Sequence, residues 1–160
     1  MFVGHELLVD VSFSSAQARL TDLSQGGLLD SASEKAYGDG LDSLIRIGPL
    51  GDMPGLSKLV RVHFRELVVR EDSAVLTLRW EATGAGGRLF PVLDADITLT
   101  AASEQATRLT LAGAYRPPLA GLGIRLDAAI LHHVATATIK SLLSRIAGAL
   151  ARPGNDADVA

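Results

Sequence analysis

The stretch "LDAAILHHVATATIKSLL", residues 126–143, decides the fold, because it is the centre of the longest helix that the sequence predicts, from about 122 to 151. At about 100° per residue, its small and apolar side chains fall on one stripe, whereas Thr136 and Lys140 lie roughly opposite. An amphipathic helix has to cover an apolar surface in the same chain. That surface must come from the residues upstream.

The residues before this helix alternate between apolar and polar with a period of two, which is typical of β-strands that bury one face. Short connections rich in Gly, Pro, Asp and Ser favour an antiparallel meander. Two short helices are predicted after the first strand, at about 15–23 and 27–37, and Ser14 and Gln17 have the spacing of a capping box at the first of them. The predicted strands, about six in number, are 5–13, 42–48, 58–69, 74–82, 89–101 and 106–116.

Length and composition indicate a single domain, which we assign to residues 1–151, followed by a flexible tail at 152–160. Fifteen basic and eighteen acidic residues give a net charge of −3, so the chain lacks the cationic excess expected of a nucleic-acid-binding protein. The sequence contains no cysteine, no signal peptide and no run of about 20 uncharged apolar residues. We therefore expect a cytoplasmic protein without a transmembrane segment.

The adjacent histidines of the long helix, His132 and His133, do not predict a metal site, because side chains one residue apart on a helix do not converge. His5 and His63 lie on separate strands, and no Asp or Glu completes a known ligand spacing around them. The sequence thus predicts neither a metal nor another cofactor. His132 lies on the flank of the apolar stripe and stays a candidate for the rim of a pocket.

The order of a strand, two short helices, an antiparallel meander and a long C-terminal helix resembles the helix-grip fold of the START-like (SRPBCC) superfamily, also called the polyketide cyclase/dehydrase and lipid transport group. The resemblance covers residues 5–151 and is most specific in "VSFSSAQARLTDLSQGG" (11–27) and "LTLAGAYRPPLAGLGIRLD" (109–127). It implies an α+β fold in which a curved antiparallel sheet wraps around the long helix. It also implies a cavity between them that holds lipids, sterols or polyketides.

The first functional hypothesis is a binding protein for a small hydrophobic ligand (a lipid, a sterol or a polyketide-like molecule) in the cavity between the sheet and the C-terminal helix. Small residues on the inward stripe of the helix leave room, and the facing strands carry apolar residues of one parity. The loops 48–55 and 117–123 are rich in Gly and Pro, so we expect entry near them. The candidate ligand-binding residues are Phe64, Leu78, Trp80, Ile97, Leu111, Tyr115, Leu131, Ala135, Thr138 and Leu142.

Two alternatives stay open. In the second hypothesis, the protein is a cyclase or dehydratase for a polyketide-like substrate, with Tyr115 and His132 as acid–base groups. In the third, the polar face of the sheet binds a protein or pairs two copies as a homodimer. The residues of this face are Arg61, Arg65, Arg79 and Asp96. Asp94 lies beside Asp96 on the same face, and we interpret the two as part of a polar surface rather than as an acid–base pair.

Overall fold

The computed structural model describes residues 1–26, 35–36, 38–39, 60–82, 92–116 and 128–152. In this part of the chain the elements follow the predicted order of a strand, a helix, a meander and a long helix. The predicted strand at 42–48, most of the predicted helix at 27–37, both predicted entry loops and nearly all of the predicted tail lie outside the described residues. The elements are β1 (Phe2–Val9), α1 (Phe13–Gln25), β2 (Val60–Val69), β3 (Ser73–Ala82), β4 (Val92–Ser103), β5 (Ala106–Arg116) and α2 (Ala128–Ala151).

The strands form an antiparallel sheet in the order β1-β5-β4-β3-β2. β2 to β5 are a meander of sequential neighbours, as predicted, and β1 lies on the other side of β5. Met1 extends this last pairing, because its amino group donates to the Tyr115 carbonyl at 2.9 Å and its carbonyl accepts from the Tyr115 N–H at 2.8 Å. The described part has five strands where about six were predicted over the whole chain. The predicted α+β arrangement of a sheet with a long C-terminal helix is confirmed.

β1 ends at Val9, four residues before the end of the predicted strand. The predicted continuation to Phe13 is wrong, because the chain turns at Val11, whose N–H donates to the Val9 carbonyl at 2.8 Å. The Thr107 hydroxyl donates to the Val11 carbonyl at 2.7 Å and attaches this turn to β5. Val11 and Phe13 still pack against the core, so their apolar character reflects burial without strand geometry.

The helix α1 is capped by Ser12 and not by the predicted capping box of Ser14 and Gln17. Phe13 is the first helical residue, so the position before it has the extended backbone of an N-cap. The Ser12 hydroxyl accepts from the Ser15 N–H at 3.4 Å. The prediction failed because the first strand was expected to continue to Phe13, which placed the start of the helix too late in the sequence.

A β-bulge at Arg65 interrupts the alternation of β2. Phe64 has a partner on β3, but the next residue of β2 that pairs with β3 is Glu66. Arg65 and Glu66 are consequently both exposed, and Val68, which simple alternation from Phe64 would place inward, is exposed too. The bulge therefore reverses the inward and outward positions in the second half of the strand.

The core lies between one face of the sheet and the two helices. α2 packs mainly across β1 and β5, whereas α1 packs across β4, β5 and α2. In the described part, α2 has the length and composition that could cross a membrane, but in this fold it is a core helix with one side buried. The buried residues of α2 are Val134, Ala135, Thr138, Ile139, Leu142, Leu143, Ile146 and Leu150.

Two polar contacts hold other helical residues against α2. The Arg19 guanidinium on α1 donates to the carbonyl of Leu150, one of the last carbonyls of α2 that the helix itself leaves unpaired. The Asp39 carboxylate accepts from the Ser141 hydroxyl and from the Arg145 guanidinium, the latter at 3.0 Å. The hydrogen bond from Ser141 lowers the pKa of Asp39, partial burial opposes this effect, and Arg145 lowers the pKa further.

Candidate functional site

The candidate site is the inner face of the sheet, which faces the helices. In an antiparallel sheet, inward residues on neighbouring strands lie side by side and form rows across the sheet. One row runs from Val62 on β2 through Trp80 on β3 and Leu93 on β4 to Tyr115 on β5. Trp80 and Leu93 are 0% exposed and Tyr115 is 1% exposed. The larger part of this row is therefore closed to solvent.

Most of the predicted ligand-binding residues lie together in this core. Thr138 is also fully buried, Phe64 is half-buried against the cluster, and Leu131 is half-buried on α2. Strand parity and the helical stripe therefore identified side chains that lie in one layer. Their role in ligand binding stays a prediction. The predicted residues in the buried cluster are Leu78, Trp80, Ile97, Leu111, Tyr115, Ala135 and Leu142.

The inner face is closed along β3, β4 and most of β5 but partly open along β2. Val62, Phe64 and Leu67 are half-buried apolar residues that pack against the core. On α2, Leu131 is likewise half-buried. An apolar molecule approaching the inner face would contact these residues before it reached the closed rows.

Among the buried polar groups of this layer, Thr138 and Trp80 differ in whether their hydrogen bonds are made. The Thr138 hydroxyl donates to the Val134 carbonyl in the preceding turn of α2 at 2.9 Å, so this hydrogen bond is made within the helix. The Trp80 indole N–H, by contrast, is buried and has no hydrogen-bond partner among the residues that the structure describes. Sequence parity predicted that Trp80 points inward, but it carried no signal for the unpaired N–H.

The histidines do not converge on the inner face. His132 and His133 are both exposed on α2, so His132 does not share the burial of Tyr115, the other predicted acid–base residue. His63 is exposed on β2, with its Nε2 atom 3.9 Å from a Glu81 carboxylate oxygen. Within the described residues, no three His, Asp or Glu side chains are grouped so that they could hold a metal ion.

The outer face of the sheet carries a network of charges. The Arg79 guanidinium donates to both carboxylate oxygens of Asp94 at 3.1 Å and to Glu81 at 3.3 Å. The hydrogen bond to Glu81 and the charge of Asp94 raise the pKa of Arg79 above its ordinary value. The Thr77 hydroxyl donates to Asp96 at 2.7 Å. These partners agree with the interpretation of the two aspartates as a polar surface.

An open groove of about 530 Å³ lies along this outer face. Its walls combine the charged network with small residues of β5, and the exposed Phe2 stands at one side. The groove is separate from the inner layer that the sequence predicted as the ligand site. The residues around it are Phe2, Arg65, Thr77, Leu78, Arg79, Asp94, Ala95, Asp96, Ala112 and Gly113.

Sequence reasoning missed several residues of the inner layer. Leu93 lies between Trp80 and Tyr115, and its parity with Ile97 would have identified it. Leu67 could not be found in this way, because the bulge in β2 reverses the parity before it. On α2 the buried surface is wider than the single predicted stripe and includes a second line that begins at Val134.

No protein-family model and no curated protein matches this sequence. Solved structures resemble it in fold. A conserved protein from Geobacillus kaustophilus is similar with a TM-score of 0.54 and 14% identity, covering 94% of this chain and 95% of that chain. A hypothetical protein from Helicobacter pylori is similar with a TM-score of 0.48 and 15% identity, over 90% and 86% of the two chains. An aromatase/cyclase from a Streptomyces species has a TM-score of 0.45 and 12% identity, over 100% and 99%.

At these identities the likeness concerns the fold alone. The Geobacillus structure covers nearly the whole chain, so the likeness includes the sheet and the C-terminal helix together. The chain therefore has the predicted helix-grip α+β fold, in which an antiparallel sheet packs against a long C-terminal helix.

Proposed function

We propose that this protein binds a small apolar molecule between the inner face of its sheet and α2, without acting as an enzyme. The observation that carries the proposal is the apolar inner face, which is incompletely covered along β2, at Val62, Phe64 and Leu67. Removing apolar surface from water contributes about 25 cal/mol per Å² to the free energy of binding. A ligand that covered these three residues, which we call the margin along β2, would therefore gain affinity without a charged anchor. Lipids, sterols and polyketide-like molecules are the candidate classes.

The composition of the inner layer supports binding over catalysis. In the part of the chain that the structure describes, its buried side chains are apolar except for Thr107, Thr138, the phenol of Tyr115 and the indole N–H of Trp80. Tyrosine ordinarily titrates near pH ~10, which makes it a poor base at neutral pH. The alternative, a cyclase or dehydratase, has Tyr115 and His132 as its predicted acid–base groups, and His132 lies exposed on α2 whereas Tyr115 is buried.

Two measurements test the proposal. Native mass spectrometry of freshly purified protein should show an added mass that organic extraction removes. N-phenyl-1-naphthylamine, an apolar fluorophore, should then bind the extracted protein and accept energy from Trp80, which is the one tryptophan of the chain.

The margin along β2 is tested by a matched pair of variants on that strand. Phe64→Asp places a charge where Phe64 contacts the core, and we expect about a tenfold loss of affinity for the fluorophore, the loss of about half of one Phe burial energy. Val68→Asp makes the same change on an exposed residue of the same strand and should leave the affinity unchanged. A protein without added mass that takes up no fluorophore, or equal affinities of the two variants, would contradict the proposal.

A further inference from the structure

The unpaired N–H of Trp80 is the feature of the inner layer that the proposed function leaves unexplained. Trp80 is 0% exposed, and its Nε1 atom has no hydrogen-bond partner among the described residues. Buried indole N–H groups usually find an acceptor, because an unpaired donor loses its hydrogen bond to water and gains nothing in return. A buried donor of the core that lacks an acceptor calls for an explanation.

The neighbours of Trp80 in the sheet offer no acceptor from their side chains. Val62 on β2 and Leu93 on β4 flank it directly, and both are aliphatic. The next side chain in the row, that of Tyr115, lies two strands away, or about 10 Å at the usual strand spacing. A phenylalanine would fill an apolar position of this kind without introducing a donor. The indole thus gives the inner layer a hydrogen-bond donor that the described side chains around it do not use.

We propose that Trp80 Nε1 donates a hydrogen bond to the ligand, and that the ligand therefore carries an acceptor oxygen within an otherwise apolar skeleton. A ketone or an ester oxygen has this chemistry, whereas a plain hydrocarbon does not. This inference rests on the proposed function, because it assigns an orienting contact to the same site. It makes Trp80 the residue that selects oxygenated ligands over hydrocarbons of similar shape.

The experiment compares three pairs of probes that differ in one carbonyl group: tetralin and α-tetralone, androstane and androstan-17-one, and dodecane and 2-dodecanone. Because the chain has a single tryptophan, its indole N–H gives a single cross-peak in a ¹⁵N–¹H correlation spectrum. In at least one pair, the ketone should move this peak downfield as the N–H···O bond forms. The matching hydrocarbon should bind without that downfield movement.

Affinities in two variants complete the test. Trp80→Phe keeps an aromatic ring and removes the donor, so the ratio of ketone affinity to hydrocarbon affinity should fall about tenfold, the value of one net hydrogen bond. Leu93→Met changes the neighbouring residue of the row without changing any donor, and it should preserve the ratio. The ratio cancels any loss of affinity that both probes share. If Trp80→Phe does not fold, the downfield shift in the unmodified protein decides.

The outcomes separate this inference from the function on which it rests. Binding of both members of a pair, with no downfield shift by the ketone and an unchanged ratio in Trp80→Phe, would overturn the role of Trp80 and leave the proposed function standing. Failure of all six probes to bind would overturn both.

Discussion

Replacing Gly113 by alanine should destabilise the protein far more than the same change at other glycines. Gly113 points inward in the middle of β5 and pairs with Ala95 on β4. A Cβ atom on residue 113 would lie 2.5 Å from both the Cα and the Cβ atoms of Ala95, and it would also overlap the carbonyl oxygen of Asp94. Because two of these atoms belong to the backbone, no side-chain rotation relieves the overlap. The two strands would have to separate.

Overpacking a filled core costs about 1–3 kcal/mol, and we expect the upper end, about 3 kcal/mol, because the obstacle is backbone. The gain from replacing a strand glycine by alanine, about 0.5–1 kcal/mol, offsets a small part of this cost. A net loss of about 2–2.5 kcal/mol lowers the melting temperature of a chain of this size by roughly 4–10 °C. Urea denaturation followed by the fluorescence of Trp80 measures the free energy of unfolding directly.

Two other glycines provide the controls. Gly148 on α2 has open space where its Cβ would be, so Gly148→Ala should stabilise the protein by about 0.5–1 kcal/mol through helix propensity. Gly4 on β1 has ordinary contacts, the nearest at 3.5 Å, so Gly4→Ala should stabilise the protein by up to about 0.5–1 kcal/mol, the usual gain at a strand glycine. If Gly113→Ala cost less than about 1 kcal/mol, or no more than Gly4→Ala, β4 and β5 would not be pressed together at Gly113 and our explanation of this glycine would be wrong.

Three further substitutions test local contacts. Ser12→Ala should lower the free energy of unfolding, measured by urea denaturation, by about 0.5–1 kcal/mol through loss of the α1 cap, whereas Ser14→Ala should not. Equal effects of the two variants would favour the capping box of Ser14 and Gln17 instead. Thr107→Val should lower the free energy of unfolding by about 1–3 kcal/mol, because it leaves the Val11 carbonyl without its buried donor. An unchanged stability would show that this hydrogen bond does not hold the turn against β5. Folding lowers the pKa of Asp39 below its ordinary value of 3.8, so its stabilising effect is complete above that pH and is lost as the pH falls through the folded-state pKa. Because the pair is half-exposed, Asp39→Asn should cost less than about 1 kcal/mol at pH ~7, and this cost should shrink as the pH falls through the folded-state pKa of Asp39. A cost that grew on acidification would contradict this reasoning.

The sequence predicts most of the described fold because strand parity is a local signal that burial imposes directly. The last strand was predicted at 106–116 and is found at Ala106–Arg116, and the predicted inward residues Leu111 and Tyr115 are buried. The same signal fails where an apolar residue is buried without strand geometry, as at Phe13. It also fails at Arg65, because a period of two contains no information about where an extra residue bulges out of the ladder.

The candidate site was predictable as a surface but not in its polar detail. Strand parity correctly predicted that Trp80 is buried, and the helical stripe did the same for Leu142, so both lie in the core cluster. Both patterns can be read from neighbouring residues in the sequence alone. The pairing of a buried polar group depends on atoms that are distant in sequence, so the unpaired N–H of Trp80 had no sequence signal. For Thr138 a partner in the preceding turn could be anticipated, because the helix itself supplies that carbonyl.

If a ligand enters the inner layer, β2 is the described strand whose displacement costs the least. Moving β5 would break its hydrogen-bonded ladders to β1 and β4 and its packing against both helices. In the described sheet, β2 pairs with β3 alone. The bulge at Arg65 already interrupts that ladder. The residues of β2 that pack against the core, Val62, Phe64 and Leu67, are only half-buried, so less apolar surface is uncovered when the strand moves. Val62 pairs directly with Trp80, so an opening at this strand uncovers the neighbour of the residue with the unpaired indole N–H. The least costly entrance and the available donor thus lie on adjacent strands of the same row.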